Sequence, residues 1–179
     1  MKGGLMIDYE LRPWRYVDAE DIAHYANNKK IAANLRDAFP YPYTRKDATD
    51  YVESCIQSKD SGQLCRAICA DGHAVGSIGI FLGSDIYRYS AELGYWLAED
   101  YWGQGIMSSA VSRICRKAFE TFPVVRIYAE PFARNTGSRK VLEHCGFQLE
   151  GIKKDSIYKN GELMDSCVYA LLNKKTSPV

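Results

Sequence analysis

The segment that most constrains this chain runs from Gly94 to Met107, Gly-Tyr-Trp-Leu-Ala-Glu-Asp-Tyr-Trp-Gly-Gln-Gly-Ile-Met. An apolar strand-like run passes through a short acidic turn into Gly103-Gln104-Gly105, and a stretch with helical periodicity follows. A helix leaves its first amides unpaired and carries the positive end of its dipole there. Glycines allow positive φ and let ligand oxygens approach the backbone without meeting a Cβ. Strand, glycines and helix in that order therefore form a cradle for a phosphate or pyrophosphate. The third glycine of the dinucleotide fingerprint is missing and no Gly-Lys-Ser or Gly-Lys-Thr follows, so neither Rossmann nor P-loop chemistry is indicated.

A second segment narrows the reading: Asn135-Thr136-Gly137-Ser138-Arg139-Lys140-Val141-Leu142-Glu143-His144-Cys145-Gly146-Phe147. Asn135 is a good helix N-cap, Val141 and Leu142 give an apolar face, and Gly146 stops the helix before Phe147 resumes a strand. With Tyr-Trp-Gly-x-Gly-Ile upstream and Asn-x-x-Ser-x-x-Val-Leu-x-x-x-Gly-Phe at this distance, the chain resembles the GCN5-related N-acetyltransferase superfamily. Within it, the resemblance is to the branch of ribosomal-protein N-terminal acetyltransferases. It extends to Leu11-Arg12-Pro13, Pro40-Tyr41-Pro42-Tyr43-Thr44 and Asn160-Gly161-Glu162-Leu163-Met164-Asp165.

The resemblance implies transfer of an acetyl group from acetyl-CoA, as co-substrate, to a primary amine. Main-chain amides of Trp102, Gly103, Gln104, Gly105, Ile106, Met107 and Ser108 would bind the pyrophosphate, and the strand edge at Trp96, Leu97 and Ala98 would bind the pantetheine like an added strand. Asn135 is expected to cap its helix and to bond the pantetheine arm. Lys140, with Arg139 beside it, offers a cation to the 3′-phosphate. An attacking amine must be neutral, and Glu92, four residues before Trp96, is the candidate base. Ser138 is the candidate proton donor to the departing thiolate, or a contact to CoA. The chain departs from the superfamily pattern at Met107, where Gly or Ala is usual, and at Leu142, where many members carry a general-acid Tyr.

With 179 residues, 46% of them hydrophobic, the chain suits one domain spanning residues 1–179, with 174–179 a frayed tail. A net charge of +1 provides no global field toward nucleic acid or anionic membrane. Six cysteines, none in a Cys-x-x-Cys pair, and no signal-peptide pattern indicate reduced thiols in a cytoplasmic protein. No run approaches a membrane span, and the three histidines lack metal-ligand spacing, so no metal is expected.

The expected architecture is α/β (α+β mixed sheet), a single domain with a central, mostly antiparallel twisted sheet flanked by helices. A first strand over about 6–12 precedes a helix beginning at Asp18, and Thr44 with Asp47 forms a capping box for another. Leu64 to Ala70 and Ala74 to Leu82 read as a hairpin around Asp71-Gly72-His73; Ala91 to Leu97 is a further strand. A helix over about 104–121, a strand from Val124 to Glu130, the Asn135 helix and a hairpin turning at Asn160-Gly161 complete the chain.

Three acceptor hypotheses follow: a protein N-terminal α-amine, a small free amine such as a polyamine, amino acid or antibiotic, and a silent acyl-CoA-binding module. Carboxylates separate the first two, because a polyamine site needs several, and Asp85, Glu92, Asp155, Glu162 and Asp165 are the available set. An exposed sheet edge would allow a homodimer.

Overall fold

The computed structural model describes residues 8–58 and 62–173; the expected tail at 174–179 and the start of the first expected strand lie outside them. In chain order the elements are β1 (Tyr9–Arg12), α1 (Asp18–Tyr25), α2 (Lys29–Ala32), α3 (Arg45–Gln57), β2 (Gln63–Ala70), β3 (His73–Leu82), β4 (Ser90–Leu97), α4 (Ile106–Thr121), β5 (Arg126–Ala129), α5 (Thr136–His144), β6 (Gln148–Lys159) and β7 (Glu162–Leu172). Single 3-10 turns occupy Asp85–Tyr87 and Glu99–Tyr101.

The strands form one seven-stranded sheet in the order β1-β2-β3-β4-β5-β7-β6. All pairings are antiparallel except β4 with β5. Two-residue turns close its hairpins: Asp71 and Gly72 have φ of 53° and 85°, Asn160 and Gly161 of 53° and 87°. Both central residues at positive φ match the twist of antiparallel strands. The first turn is one residue shorter than expected, since His73 already pairs with Ala70.

Alternation along the strands sends side chains to two cores. On one face Leu64, Ile68, Val75, Ile78, Ile80, Leu93 and Leu97 pack against α4 and α5. On the other Cys65, Ala67, Cys69, Ala74 and Trp96 pack under α1, α2 and α3. Helix α4 buries Ile106, Ala110, Val111, Ile114, Cys115 and Ala118, an i, i+4 stripe. Helix α3 starts with the expected capping box, Thr44 accepting from Asp47 N while the Asp47 carboxylate accepts from Thr44 N at 2.8 Å. Beneath the α1 side lies a buried ion pair, in which both Arg12 guanidinium nitrogens donate to Asp18 at 2.7 Å.

Candidate active site

Strands β4 and β5 pair only along Ser90–Glu92 and Arg126–Tyr128. Beyond that rung β4 continues against β3 to Leu97, whereas β5 follows β7. The sheet therefore splits at its single parallel junction and leaves one edge of β4 open from Leu93 onward.

Hydrogen bonding fixes which residues that edge presents. Ala98 N donates to Val75 O at 2.8 Å, and Gly83 N donates to Ser90 O at 2.8 Å. In an antiparallel ladder the main-chain groups of alternate residues point to opposite sides. The even-numbered residues of β4 thus face β3, and Leu93, Tyr95 and Leu97 face the opening. This corrects the expected register: Leu97 lies at the open edge, but the main chains of Trp96 and Ala98 are spent on β3. The Trp96 indole is buried on the α1 side, with the Phe39 ring edge-on at 5.8 Å.

At the end of β4 the glycine loop turns into α4. Gly103 and Gly105 have φ of 72° and 79°, Gly105 being the left-handed N-cap of α4. A Cβ at either position would meet no atom within 4 Å, so the surface there is open to a ligand. The first helical bond, Ser109 N to Gly105 O at 3.1 Å, leaves the amides of Gly103, Gln104, Gly105, Ile106, Met107 and Ser108 without backbone partners among the described residues. Trp102 departs from the expectation, because its amide donates to Glu99 O and its indole Nε1 donates to Leu97 O at 2.7 Å. Trp102 fastens the loop to β4 instead of donating from the cradle. The Gln104 side chain is likewise used, donating to Asp100 O at 2.8 Å. Met107 is buried in the core beneath α4, so its departure from the family pattern leaves the mouth of the cradle clear.

Helix α5 faces this opening. Asn135 Oδ1 caps it by accepting from Ser138 N at 3.1 Å. The Ser138 hydroxyl lies 2.8 Å from the Tyr95 hydroxyl, across the split. Burial pushes the Tyr95 phenol well above its ordinary value, the Ser138 bond opposing only in part. Leu142 is fully buried, and a tyrosine of β4 supplies the hydroxyl on this side. Sequence reading passed over Tyr95, although its alternation with Leu93 and Leu97 puts all three on one face of β4. Arg139 is half-buried and its side chain is already engaged, donating to the Tyr169 hydroxyl at 3.1 Å and to Ala133 O at 3.2 Å. Lys140 has no hydrogen-bond or ion-pair partner among the described residues.

Glu92 lies at the last rung before the split and points to the face opposite Tyr95, as their positions on β4 require. Its carboxylate is paired with Arg36 from the α2–α3 segment. Across the junction Glu130 accepts from Lys153 at 2.8 Å and from the Ser166 hydroxyl at 2.6 Å. Burial alone would raise the Glu130 carboxyl, but these bonds and the nearby Lys153 and Arg36 cations hold it below the usual carboxylate range. Neither Arg36 nor Glu130 was singled out by the sequence, because only the topology brings them beside Glu92. Asp165 pairs with Lys154 at 2.8 Å, while Asp85 and Glu162 lie exposed on a 3-10 turn and at the start of β7, and Asp155 sits exposed at the irregularity in the middle of β6.

The arrangement opens two routes to one split strand edge: a loop of unpaired amides with the Tyr95–Ser138 hydroxyl pair on the α4–α5 face, and the Glu92 and Glu130 carboxylates on the other. Among the described residues no three His, Cys, Asp or Glu side chains form a metal-binding group, and no helix is long and apolar enough to cross a membrane.

Residues 9–148 match the family model described as acetyltransferase (GNAT) domain. The putative ribosomal N-acetyltransferase YdaF of Bacillus subtilis (strain 168) is 34% identical over 133 residues, 72% of each chain. The probable N-acetyltransferase YjcK of the same organism is 29% identical over 169 residues, covering 91% of this chain and 93% of the relative. Among solved structures, Mycobacterium smegmatis RimJ in complex with CoA-disulfide superposes with a TM-score of 0.81 at 26% identity, covering 93% of this chain and 83% of that one.

Proposed function

The chain belongs to the GNAT acetyltransferase family, and we propose that its acceptor is the α-amine of a protein N-terminus, acetylated by direct attack on acetyl-CoA in a ternary complex. Acetyl-CoA-dependent N-acetylation is the activity of the family, and acetyl-CoA the donor. The finer assignments are our own.

The acceptor rests on one observation, the pairing of the carboxylates around the split. Glu92 holds Arg36 and Glu130 holds Lys153. A polyamine or aminoglycoside carries several cations and needs several uncommitted carboxylates, whereas an α-ammonium needs one, which Glu92 supplies once its exposed partner Arg36 gives way. The likeness to a relative named as a putative ribosomal N-acetyltransferase supports the same choice. A cytoplasmic setting belongs to this proposal and suits six cysteines that are all free thiols.

In the proposed chemistry the pyrophosphate sits on the amides of residues 103–108, and Lys140 serves the 3′-phosphate. The pantetheine runs along the open edge of β4, with Asn135 at the start of α5 beside it. The amine approaches from the α1–α3 face and gives up a proton to Glu92, directly or through water. Its nitrogen bonds to the thioester carbonyl carbon, the C–S bond breaks, the thiolate takes a proton from the Ser138–Tyr95 pair, and the second proton of the acylated nitrogen passes through solvent to restore that pair. An α-amine has a pKa near ~8 and is mostly ammonium at neutral pH, so the proton that Glu92 takes is the one that frees the nitrogen lone pair for attack.

The test is a thiol-release assay with acetyl-CoA against N-terminal peptides, polyamines, amino acids and aminoglycosides, run beside calorimetric binding of CoA. Turnover confined to peptides supports the proposal. Turnover confined to small amines replaces the acceptor and leaves the family activity intact.

A further inference from the structure

The segment joining α2 to α3 crosses the acceptor side of the split and is pinned along its length. Arg134 Nη2 donates to Ala33 O at 2.8 Å, Lys159 Nζ donates to Asp37 Oδ1 at 2.8 Å, and Tyr43 N donates to Asn27 Oδ1 at 3.0 Å. Lys159 ends β6 and its side chain is only 8% exposed, so the anchor on Asp37 comes from a well-fixed base. Phe39 packs between Tyr43 and Trp96, with ring centroids 4.8 and 5.8 Å away. Arg36 thus projects from a strap whose position is set on both sides of it.

The Arg36 guanidinium reaches Glu92 while its own side chain stays 72% exposed, against 26% for Glu92. Its charge also acts on Tyr128 and Glu130 across the junction. Exposed ion pairs of this kind are weak, because solvent competes and two long side chains must be ordered. The contrast within the molecule is Arg12–Asp18, whose side chains are only 10% and 3% exposed.

We propose that Arg36 holds the place of the acceptor's ammonium on Glu92 and sets the charge of acceptor the site admits. The incoming ammonium displaces the guanidinium from the carboxylate. The strap keeps that guanidinium beside the entrance, where it repels a second cation and attracts an anion. The preferred acceptor class is then an N-terminus followed by an acidic or neutral residue, with a basic second residue disfavoured. This inference rests on the acetyltransferase reading and on Glu92 as the acceptor-side carboxylate.

The experiment compares wild type, Arg36→Ala and Arg36→Lys on three peptides differing only at residue two, as Glu, Gln or Lys. In wild type we expect KM to rise from Glu to Lys by about threefold or more, a size set by one partly screened charge contact. Arg36→Ala should flatten that series by lowering KM for the Lys peptide, and Arg36→Lys should retain it. The Kd of acetyl-CoA should stay the same in all three proteins. A binding readout independent of turnover is titration of the CoA-loaded protein with propylammonium, which Arg36→Ala should bind about two- to fivefold more tightly once no internal cation competes. An unchanged peptide series, or equal propylammonium affinity with and without Arg36, overturns the proposal. If no peptide turns over in wild type the peptide-acceptor reading fails, and the propylammonium titration alone decides the cation exchange.

Discussion

The Tyr95 hydroxyl sits 2.8 Å from the Ser138 hydroxyl, tying β4 to the first turn of α5 across the opening between β4 and β5. Either oxygen can donate to the other, so the pair can relay one proton, which in the proposed mechanism goes to the departing thiolate. Burial raises the Tyr95 phenol, which favours its protonated, donating form. Ser138→Ala and Tyr95→Phe should each lower kcat by roughly 10- to 100-fold, within the range of general-acid contributions, with the Kd of CoA retained. Groups acting as a unit are not additive, so the double variant should be little worse than the poorer single one. Neither variant should move an alkaline limb of the pH profile toward neutral. Unchanged kcat in both would remove the pair from catalysis, and loss of CoA binding in Ser138→Ala would make that residue a binding contact.

Glu92→Gln removes the proposed base but keeps the shape of the side chain. Without a carboxylate to take the proton, the reaction depends on the fraction of acceptor already neutral, which for an α-amine rises toward pH ~8. The activity optimum should therefore shift to higher pH, with kcat/KM at neutral pH falling about 10²-fold. A pH–rate profile measured on one peptide checks this. A parallel drop at all pH values would make Glu92 a positioning group and not a base.

The parts of this molecule that were legible from sequence are those whose signals are local. The Thr44–Asp47 box, the Asn135 cap and the two glycine-closed hairpins each complete their hydrogen bonds within a few residues. The glycine turn from β4 into α4 was visible for the same reason, since strand, turn and helix are consecutive. What escaped were pairings set by topology. Arg36 and Glu92 are 56 positions apart, Tyr95 and Ser138 are 43, and Lys159 and Asp37 are 122. The register error at Trp96 and Ala98 has a different cause. Sequence marks a strand, but only its ladder with β3 decides which residues turn their amides to the open edge.

The buried Arg12–Asp18 pair yields a stability prediction. Asp18 accepts two bonds from the guanidinium at 2.7 Å and one from Arg15 N at 2.8 Å, and this carboxylate keeps Arg12 charged despite its burial. Asp18→Ala leaves a guanidinium in the interior without its counter-ion, a change that costs about 3–5 kcal/mol. Asp18→Ala should therefore unfold at markedly lower urea concentration. Replacing both residues at once, Arg12→Met with Asp18→Leu, should recover much of that loss because no charge is stranded. A double variant as unstable as the single one would count against this account.

Gly105→Ala separates conformation from space at the cradle. An added Cβ at Gly105 meets nothing within 4 Å, so sterics with the rest of the fold contribute no penalty. Its φ of 79° is costly for alanine, by about 1–2 kcal/mol. That strain can be relieved by tilting the loop back toward negative φ, which would turn the amides of Ile106, Met107 and Ser108 away from a common point. If those amides bind the pyrophosphate, Gly105→Ala should weaken CoA binding by more than the stability loss accounts for, an order of magnitude or so in calorimetry for each ~1.4 kcal/mol withdrawn. Gly72→Ala is the matched control, since Gly72 has a φ of 85° and equal open space but lies in the β2–β3 turn, away from the cradle. The two variants should lose similar thermal stability, and only Gly105→Ala should lose CoA affinity. Equal CoA affinity in both would mean that the cradle's amides do not carry the binding.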